Sequence, residues 1–266
     1  MRREATLAIE NLVLVSRRNV KFFLYRAGQA SRILPNIWML RSPFKVHEFR
    51  QVTSAAGIRP DHVVFDMGCG KGFQTQLLAR GCNRVVGLDI GEKQITEAKL
   101  FLRNSSVENK VEFVCSKLEH AQLPASSFDR VISFCVLEHI PNLDEVLGEL
   151  VRVLRPGGEF HASVDALSSI KNKALLARHR KEHHVIQYFT PTTLRERLET
   201  SGFQVLEIFS IMTGDFARKK FEERIQLQDY SLSYFERMRV YNRLHEDDLN
   251  FNGEDGIMLV VRARRP

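Results

Sequence analysis

Apolar and polar positions follow two different rhythms along the chain from residue 61 onwards. Short runs rich in β-branched residues are followed by longer stretches in which apolar residues recur at helical spacing. This succession is typical of a parallel sheet whose strands are joined by crossover helices. It predicts strands at residues 63–67, 84–90, 111–115, 130–135, 159–164, 203–209 and 257–262. It predicts helices at residues 73–80, 93–103, 143–154 and 192–201.

Proline, glycine and threonine mark the ends of some of these elements. Thr190 before Pro191 predicts the N-cap and first turn of the helix at 192–201, and Gly202 predicts its end. The run Arg-Pro-Gly-Gly at residues 155–158 predicts a break between a helix and the next strand.

Three segments lie outside this alternation. Residues 1–56 carry a helical pattern, so we expect a helical N-terminal cap there and a single domain at residues 57–266. Residues 214–246 are expected to form a charged helical insertion in that domain. The run Arg-Ala-Arg-Arg at 262–265 is expected to be a solvated end.

Charge is distributed unevenly. Residues 1–50 hold ten Lys or Arg and three Glu, which accounts for the whole formal net charge of +7. Apolar residues recur at roughly helical spacing among Arg17, Arg18 and Lys21. A basic amphipathic helix of this kind can lie on an anionic membrane, or it can pack its apolar face on the core with the basic face in solvent. The sequence leaves both interpretations open.

Composition and the pattern of cysteines bear on the cellular compartment. The chain is 44% hydrophobic and 27% charged, which is ordinary for a globular protein. We find no apolar run near the roughly 20 residues of a membrane span and no signal-peptide pattern. The four cysteines form no C-x-x-C pair, so reduced thiols in a cytoplasmic protein, with membrane association through residues 1–50 left open, are expected.

A glycine loop is the centre of the functional argument. The strand at 63–67 contains Asp66 and runs into Gly68, Gly70 and Gly72, after which a helix is predicted. Alone, this pattern predicts only a tight strand-to-helix turn. Asp89 ends the next strand, 21 residues after Gly68, where a carboxylate can accept hydrogen bonds from ribose hydroxyls. The loop therefore predicts a nucleoside cofactor.

The spacing of the loop narrows the choice of cofactor. It reads D-x-G-x-G-x-G over residues 66–72, whereas dinucleotide sites use G-x-G-x-x-G. The chain has no G-x-x-x-x-G-K-[ST] phosphate loop. An acidic strand end beside the loop suits a ligand with an amino group and a sulfonium better than a diphosphate.

The segment 65–72 resembles motif I of the class I S-adenosylmethionine-dependent methyltransferases. Three later segments resemble that family in the same order: LPASSFDRVI at 123–132, VLEHI at 136–140 and LVRVLRPGG at 150–158. The nearest branch is that of small-molecule enzymes of the ubiquinone and menaquinone biosynthetic kind, type 11. The resemblance implies a Rossmann-like α/β fold with a seven-stranded, mostly parallel sheet, helices on both faces, and S-adenosyl-L-methionine as cofactor.

The resemblance also implies roles for residues of the cofactor site. Asp66, Gly68 and Gly70 would line the methionine part of the cofactor, Asp89 would hold the ribose, and Ile90 would flank the adenine.

The contact to the adenine amino group departs from the family pattern. Most members carry an acid just after the third strand, but this chain reads Cys-Ser-Lys-Leu-Glu at residues 115–119. Glu119, or the backbone around Lys117 and Leu118, would have to serve instead.

Methyl transfer is an in-line displacement at an activated carbon, so holding the two reactants together supplies most of the rate. A base is needed only when the nucleophile carries a proton of high pKa. Glu138 and His139 follow the fourth strand, where they either contact the cofactor and remove that proton, with His139 the better base, or orient the next loop. Some quinone methyltransferases bind a metal through E-x-x-E-H here; the first acid position is Cys135 in this chain, so no metal is predicted.

The substrate side is expected at the histidine-rich segment 178–189. The resemblance places this segment over the substrate pocket, and His184 and Tyr188 are the catalytic candidates in it. The alternative is a solvated polar loop. Residues 1–50 and 214–246 are expected to pack together as a lid near these two side chains.

Three functions compete at this point. The leading hypothesis is methyl transfer to a small-molecule or lipid-like acceptor, with no prediction of oligomeric state. The pI near 9.4 suggests an RNA or DNA methyltransferase instead, but the chain lacks both the [DNS]-P-P-[YFW] motif and a Pro-Cys nucleophile, which argues against a nucleic-acid partner. The third hypothesis is a non-catalytic module that binds S-adenosylmethionine.

Overall fold

A seven-stranded sheet organises the computed structural model, which describes residues 36–226, 232–251 and 255–266. The strand order is β3-β2-β1-β4-β5-β7-β6, and β7 runs antiparallel to both neighbours while the other pairs are parallel. The predicted α/β class with a mostly parallel sheet is confirmed. The strands are β1 (Val63–Met67), β2 (Arg84–Asp89), β3 (Val111–Cys115), β4 (Phe128–Phe134), β5 (Leu154–Asp165), β6 (Gln204–Thr213) and β7 (Gly256–Arg264).

Helices connect and flank these strands. Within the described residues they are α1 (Pro43–Ala56), α2 (Phe73–Leu78), α3 (Glu92–Leu102), α4 (Leu143–Val153), α5 (Lys173–Glu182), α6 (Pro191–Thr200), α7 (Gly214–Gln226) and α8 (Tyr234–Leu249). The chain divides into two units, residues 1–41 and residues 42–266, and only the 3₁₀-helix Asn36–Leu40 is described in the first. None of the helices in the described part is long and apolar enough to cross a membrane.

Both faces of the sheet are covered. Residues of β5 from Gly158 to Asp165 are buried without interruption, which is the burial expected of a strand packed on two sides. On α4, Leu143, Leu147 and Leu150 share one buried stripe at helical spacing. Burial of each such side chain stabilises the fold by about 1.5–3 kcal/mol.

The two strands near the C-terminus extend further than the sequence predicted. β5 begins at Leu154, so the Arg-Pro-Gly-Gly run lies within the strand, with a register shift against β4. β7 continues to Arg264. The prediction of a solvated tail was wrong for residues 262–264, because Ala263 is buried in the sheet and both flanking arginines donate hydrogen bonds to Glu159.

The alternative of a solvated polar loop at residues 178–189 is wrong for residues 178–182. Residues 173–182 form α5, whose N-cap Asn172 accepts hydrogen bonds from the backbone of Ala174 and Leu175. The predicted start of α6 is confirmed, since the Thr190 side chain caps it and Pro191 is its first residue.

Helix α1 packs within the second unit. His47 Nε2 lies 2.6 Å from Asp248 Oδ2 of α8, and the rings of Phe44 and Phe221 meet edge to face at 6.0 Å. The second unit therefore begins at Ser42, before the boundary expected at residue 56. These contacts join α1 to the 214–246 insertion, and residues 1–35 of the expected lid lie outside the described residues.

Candidate active site

Two cavities lie side by side at the carboxyl ends of the parallel strands. The glycine-loop cavity, of about 440 Å³, is lined by residues that include Gly68, Asp89 and Ile90. The helix cavity, of about 570 Å³, is lined by side chains from α1, α5 and α7 and from the ends of β4 and β5. Cys135 and His139 line both cavities, so the short segment after β4 that contains them forms a wall shared by the two cavities.

The glycine loop is shaped by close approach to that wall. Gly68 has a φ of 74°, and a Cβ on it would lie 2.3 Å from Val136 Cγ2, which explains why the loop needs glycine here. Gly70 has a φ of 52°, and a Cβ on it would meet no atom within 4 Å. The loop therefore presses against the β4 end at Gly68 and faces open space at Gly70.

Asp89 holds the loop through both of its carboxylate oxygens. Oδ2 accepts a hydrogen bond from the Gly70 backbone at 2.9 Å, and Oδ1 accepts one from the Gly91 backbone at 2.8 Å. A carboxylate offers about four lone-pair positions, so each oxygen can still accept from a further hydroxyl. Asp89 also lines the cavity, which is the placement that a vicinal diol requires.

The far side of the glycine-loop cavity offers an apolar platform and polar atoms. Ile90 lines it with 73% of its surface exposed. Lys117, Leu118 and Glu119 line the opposite side, and Glu119 Oε1 accepts a hydrogen bond from Asn142 Nδ2 at 3.0 Å. Backbone N–H donation and this Asn142 bond lower the pKa of Glu119. The acceptor is thus charged and in place for an amino donor.

Two of the residues expected to bind the cofactor do not line the glycine-loop cavity. Asp66 is 1% exposed and accepts a hydrogen bond from Thr75 Oγ1 at 2.6 Å, so it ties β1 to α2 behind the loop. Burial raises the pKa of Asp66 to about 7, with a smaller contribution from Asp89. Gly70 meets the site through its backbone N–H to Asp89 and does not itself line the cavity. The other six residues expected for the cofactor do line it: Gly68, Asp89, Ile90, Lys117, Leu118 and Glu119.

The wall between the cavities carries a buried acidic cluster. Sγ of Cys135 and carboxylate oxygens of Glu138 and Asp165 lie within 4.8 Å of one another. Glu48 reaches the same place from α1, where its Oε1 accepts a hydrogen bond from Ser163 Oγ at 2.6 Å and one from Cys135 Sγ at 3.1 Å.

Burial raises the pKa of three groups in this cluster, Glu138, Asp165 and Cys135. It raises the pKa of Glu138 to about 8, with repulsion from Asp165 adding to the effect, and it raises the pKa of Asp165 to about 6. The pKa of the Cys135 thiol is also raised by burial. A metal ion would have to displace protons from Cys135 and Glu138, so these two groups are poorer ligands at neutral pH than their spacing suggests. The expectation of no metal stays a prediction.

Glu138 also holds two segments that are distant in sequence. Its backbone carbonyl accepts hydrogen bonds from Ile186 at 2.9 Å and Gln187 at 3.3 Å. Its side-chain Oε1 accepts from the backbone of Asp165 at 3.3 Å, while Oε2 is buried with no hydrogen-bond partner among the described residues. These contacts are to residues distant in sequence, and the alternative that Glu138 orients the next loop stays a prediction.

His139 is the expected base that meets both cavities. Its Nδ1 lies 3.4 Å from the carbonyl oxygen of His184. Burial lowers the pKa of His139, which keeps the ring neutral near pH 7 and able to accept a proton.

The two other catalytic candidates lie elsewhere. His184 has an exposed side chain and lines neither cavity; only its carbonyl reaches His139. The Tyr188 hydroxyl donates to the Leu176 carbonyl at 3.3 Å and lies 3.1 Å from His179 Nδ1, so it supports His179 from behind. These placements differ from the expectation, because both residues follow the end of α5 and neither lines the helix cavity.

Four residues of the segment expected on the substrate side line the helix cavity, but sequence reasoning missed three of its charged residues, Lys45, Asp165 and Arg224. Asp165 ends β5 at the carboxyl edge, and the rule that drew attention to Asp89 would have found it. His179 lines the cavity at 5% exposure, with Nε2 3.7 Å from Asp165 Oδ2. Lys45 and Arg224 come from helices about 180 residues apart, and no local pattern links them.

Comparison with known proteins shows similarity to methyltransferases. The model of the type 11 methyltransferase domain matches residues 65–162. The sterol 24-C-methyltransferase of Kluyveromyces lactis is 29% identical over 169 residues, which cover 60% of this chain and 45% of that protein. A sterol 24-C-methyltransferase of Saccharomyces cerevisiae is 31% identical over 160 residues, which cover 57% of this chain and 41% of that protein. The chain thus spans less than half the length of these two relatives.

Solved structures share the fold. The [4+2]-cyclase SpnF has a TM-score of 0.63 at 18% identity, covering 84% of this chain and 81% of that chain. Geranyl diphosphate C-methyltransferase from Streptomyces coelicolor, in complex with Mg2+, geranyl diphosphate and S-adenosyl-L-homocysteine, has a TM-score of 0.63 at 11% identity, covering 84% and 79%. The cyclase among them illustrates that one fold carries several reactions.

Proposed function

We propose that this chain, which belongs to the type 11 class I S-adenosylmethionine-dependent methyltransferases, transfers a methyl group to a small molecule held in the helix cavity. The observation that carries the proposal is the shared wall. Cys135 and His139 line both the glycine-loop cavity and the helix cavity, so a donor in one can meet an acceptor in the other. Methyl transfer requires this contact between two separate ligand sites.

The residues of the glycine-loop cavity fit the cofactor. S-adenosylmethionine supplies a methyl group bonded to a positively charged sulfur. Asp89 accepts from ribose hydroxyls with its remaining lone pairs, and Ile90 offers its exposed side chain to the adenine. Glu119 and the backbone at Lys117–Leu118 lie where the adenine amino group needs an acceptor.

Two groups on the shared wall can remove a proton from the molecule that is to be methylated. His139 is neutral near pH 7 and faces both cavities. Asp165 lines the helix cavity beside Cys135, and burial raises its pKa to about 6, close to the value that suits a base at neutral pH. An acceptor with no acidic proton would need neither.

A lipid-like acceptor is favoured by the relatives. Two of them are sterol methyltransferases, and a protein of the same fold methylates geranyl diphosphate. The runner-up, a nucleic-acid substrate, rested on basic charge, but residues 1–41 hold eight Lys or Arg and two Glu, a balance of +6 out of +7, so only +1 belongs to the unit that holds the cavities.

Labelled S-adenosylmethionine tests the proposal. Protein is incubated with S-[methyl-¹⁴C]adenosylmethionine and either a lipid and small-molecule extract or RNA. We expect label in an organic-soluble product of low mass. Label in RNA would establish the runner-up. Binding of S-adenosylhomocysteine without label in any product would leave a non-catalytic binding module.

We also propose that residues 1–50 touch anionic membranes, which would bring a lipid-like acceptor to the domain. The support is the concentration of the whole net charge in this segment. Each basic side chain near such a surface contributes about 1 kcal/mol. Replacing Arg17, Arg18 and Lys21 with Gln should weaken sedimentation with phosphatidylserine vesicles and leave S-adenosylhomocysteine binding intact. Equal, negligible binding of the natural chain to neutral and anionic vesicles would refute it.

A further inference from the structure

The helix cavity contains a guanidinium without an acidic partner. Arg224 of α7 lines the cavity half-buried, with its charge 5.9 Å from the centre of the Phe44 ring. Across the described ranges, 36–226, 232–251 and 255–266, no carboxylate oxygen lies within 4.0 Å of it. The other two cations of the lining are already paired, Lys45 with Glu48 at 2.8 Å and Arg178 with Glu182 at 2.7 Å. Among the described residues, Arg224 is therefore the one Lys or Arg of the lining with no ion pair, and its charge reaches Asp165 only at longer range, where it lowers the pKa of that acid.

Neighbouring side chains respond to this charge. The pKa of His179 is lowered to about 4, first by burial and then by the charges of His183 and Arg224. The pKa of His183 is lowered by burial and by Arg224. Both rings, whose centroids lie 4.6 Å apart, are thus neutral near pH 7 and leave the positive charge of Arg224 uncompensated on that side.

The rest of the lining is amphipathic. Phe221, Ile225 and Met258 give the cavity an apolar surface beside these polar groups. A wholly apolar ligand would desolvate Arg224 and Asp165 without replacing their hydrogen bonds, which costs free energy. A ligand with an apolar chain and an anionic group would satisfy both parts of the lining.

We propose that the methyl acceptor carries an anionic group, a carboxylate or a phosphate, and that Arg224 binds this group in the helix cavity. Arg224 then determines specificity without taking part in the chemical step. This inference rests on the proposed function, because it names the class of ligand that fills the acceptor site. Guanidinium and either anion form strong, charge-assisted hydrogen bonds, so the chemistry of Arg224 admits both.

Three probes that share one hydrocarbon skeleton and differ in their head group test the proposal: geraniol, geranic acid and geranyl diphosphate. Each is titrated calorimetrically into the full chain saturated with S-adenosylhomocysteine, and inorganic diphosphate is titrated as a head group without a chain. We expect one or both of the charged probes to bind about tenfold to a hundredfold more tightly than geraniol, which is the range of one or two charge-assisted hydrogen bonds. Whether the carboxylate or the diphosphate binds better identifies the source of the anion.

Variants of α7 distinguish a specific role of Arg224 from a general effect of positive charge on that helix. Arg224→Gln should remove the preference for the charged probes, and Arg224→Lys should restore part of it. Lys219→Gln removes the same charge from an exposed position of α7 and should keep the preference. Geraniol binding as tightly as both charged probes, no binding of any anionic probe, or an Arg224→Gln variant that keeps the preference would each overturn the proposal. Failure of S-adenosylhomocysteine itself to bind would instead refute the proposed function.

Discussion

Replacement of Asp89 by Ala tests the cofactor site most directly. The change removes the acceptor for the ribose and also the two backbone hydrogen bonds, from Gly70 and Gly91, that hold the glycine loop. An unmade hydrogen bond at a polar partner costs about 1–3 kcal/mol. We expect the affinity for S-adenosylhomocysteine to fall by roughly tenfold to a hundredfold. Because Asp89 is half-buried, we expect the free energy of unfolding of the unliganded chain to fall by about 1–2 kcal/mol as well.

Calorimetry and urea unfolding measure the two effects separately. Asp89→Asn keeps one acceptor oxygen and should lie between Ala and the natural chain in both measurements. Asp61→Ala is the matched control, since Asp61 is exposed and pairs with Arg59 at the surface, where ion pairs contribute little. An Asp89→Ala variant that binds S-adenosylhomocysteine with unchanged affinity would refute the assignment of the ribose site. A loss of stability alone would leave Asp89 as a residue that only shapes the loop.

Three further changes test the loop and the wall. Gly68→Ala should lower the free energy of unfolding by about 1–3 kcal/mol, because its Cβ collides with Val136, and adding Val136→Ala should restore part of it in urea titrations. If proton removal limits turnover, His139→Ala should lower kcat about 100-fold or more. Because the pKa of His139 is lowered, the acidic limb of the pH–rate profile of the natural enzyme should lie below pH 6.5. An unchanged rate in the variant would mean that positioning alone suffices. Glu138 keeps its proton up to about pH 8 when folded but loses it near 4.5 when unfolded, so stability should fall as pH rises through this window. Glu138→Gln should flatten that slope, and an equally steep slope in the variant would assign it to other groups.

The sheet could be predicted well because its pattern is local. The bounds of β1 and β3 agree with the sequence to the residue, since each is a short run rich in β-branched and aromatic residues. The start of α6 was equally local, because Thr190 caps it and Pro191 opens it. The ends of β5 and β7 were less predictable. Arg262 and Arg264 look solvated in the sequence, and it is Glu159, about 100 residues earlier, that pairs with these half-buried side chains.

The glycine-loop cavity could be predicted because its residues are close together in the sequence. The helix cavity lacks this local signal. Gly68, Asp89 and Ile90 lie within 23 residues of one another, so spacing alone indicates the site. The helix cavity joins Lys45 to Arg224 through the packing of α1 against the insertion. Contacts of that kind depend on tertiary structure, and the separation of the two residues in sequence carries no sign of them.

The charges of the helix cavity differ between the elements that supply them. At the wall shared with the glycine-loop cavity, Lys45 and Glu48 neutralise each other and Glu138 keeps its proton at neutral pH, so Asp165 leaves about one negative charge. On α7, Arg224 leaves one positive charge. An anionic acceptor would be repelled from the wall and attracted to the helix, which orients it with its anion on α7 and its other end toward Cys135 and His139. Such orientation places the reacting atom beside the donor, and positioning of this kind supplies most of the rate in a displacement at an activated methyl group.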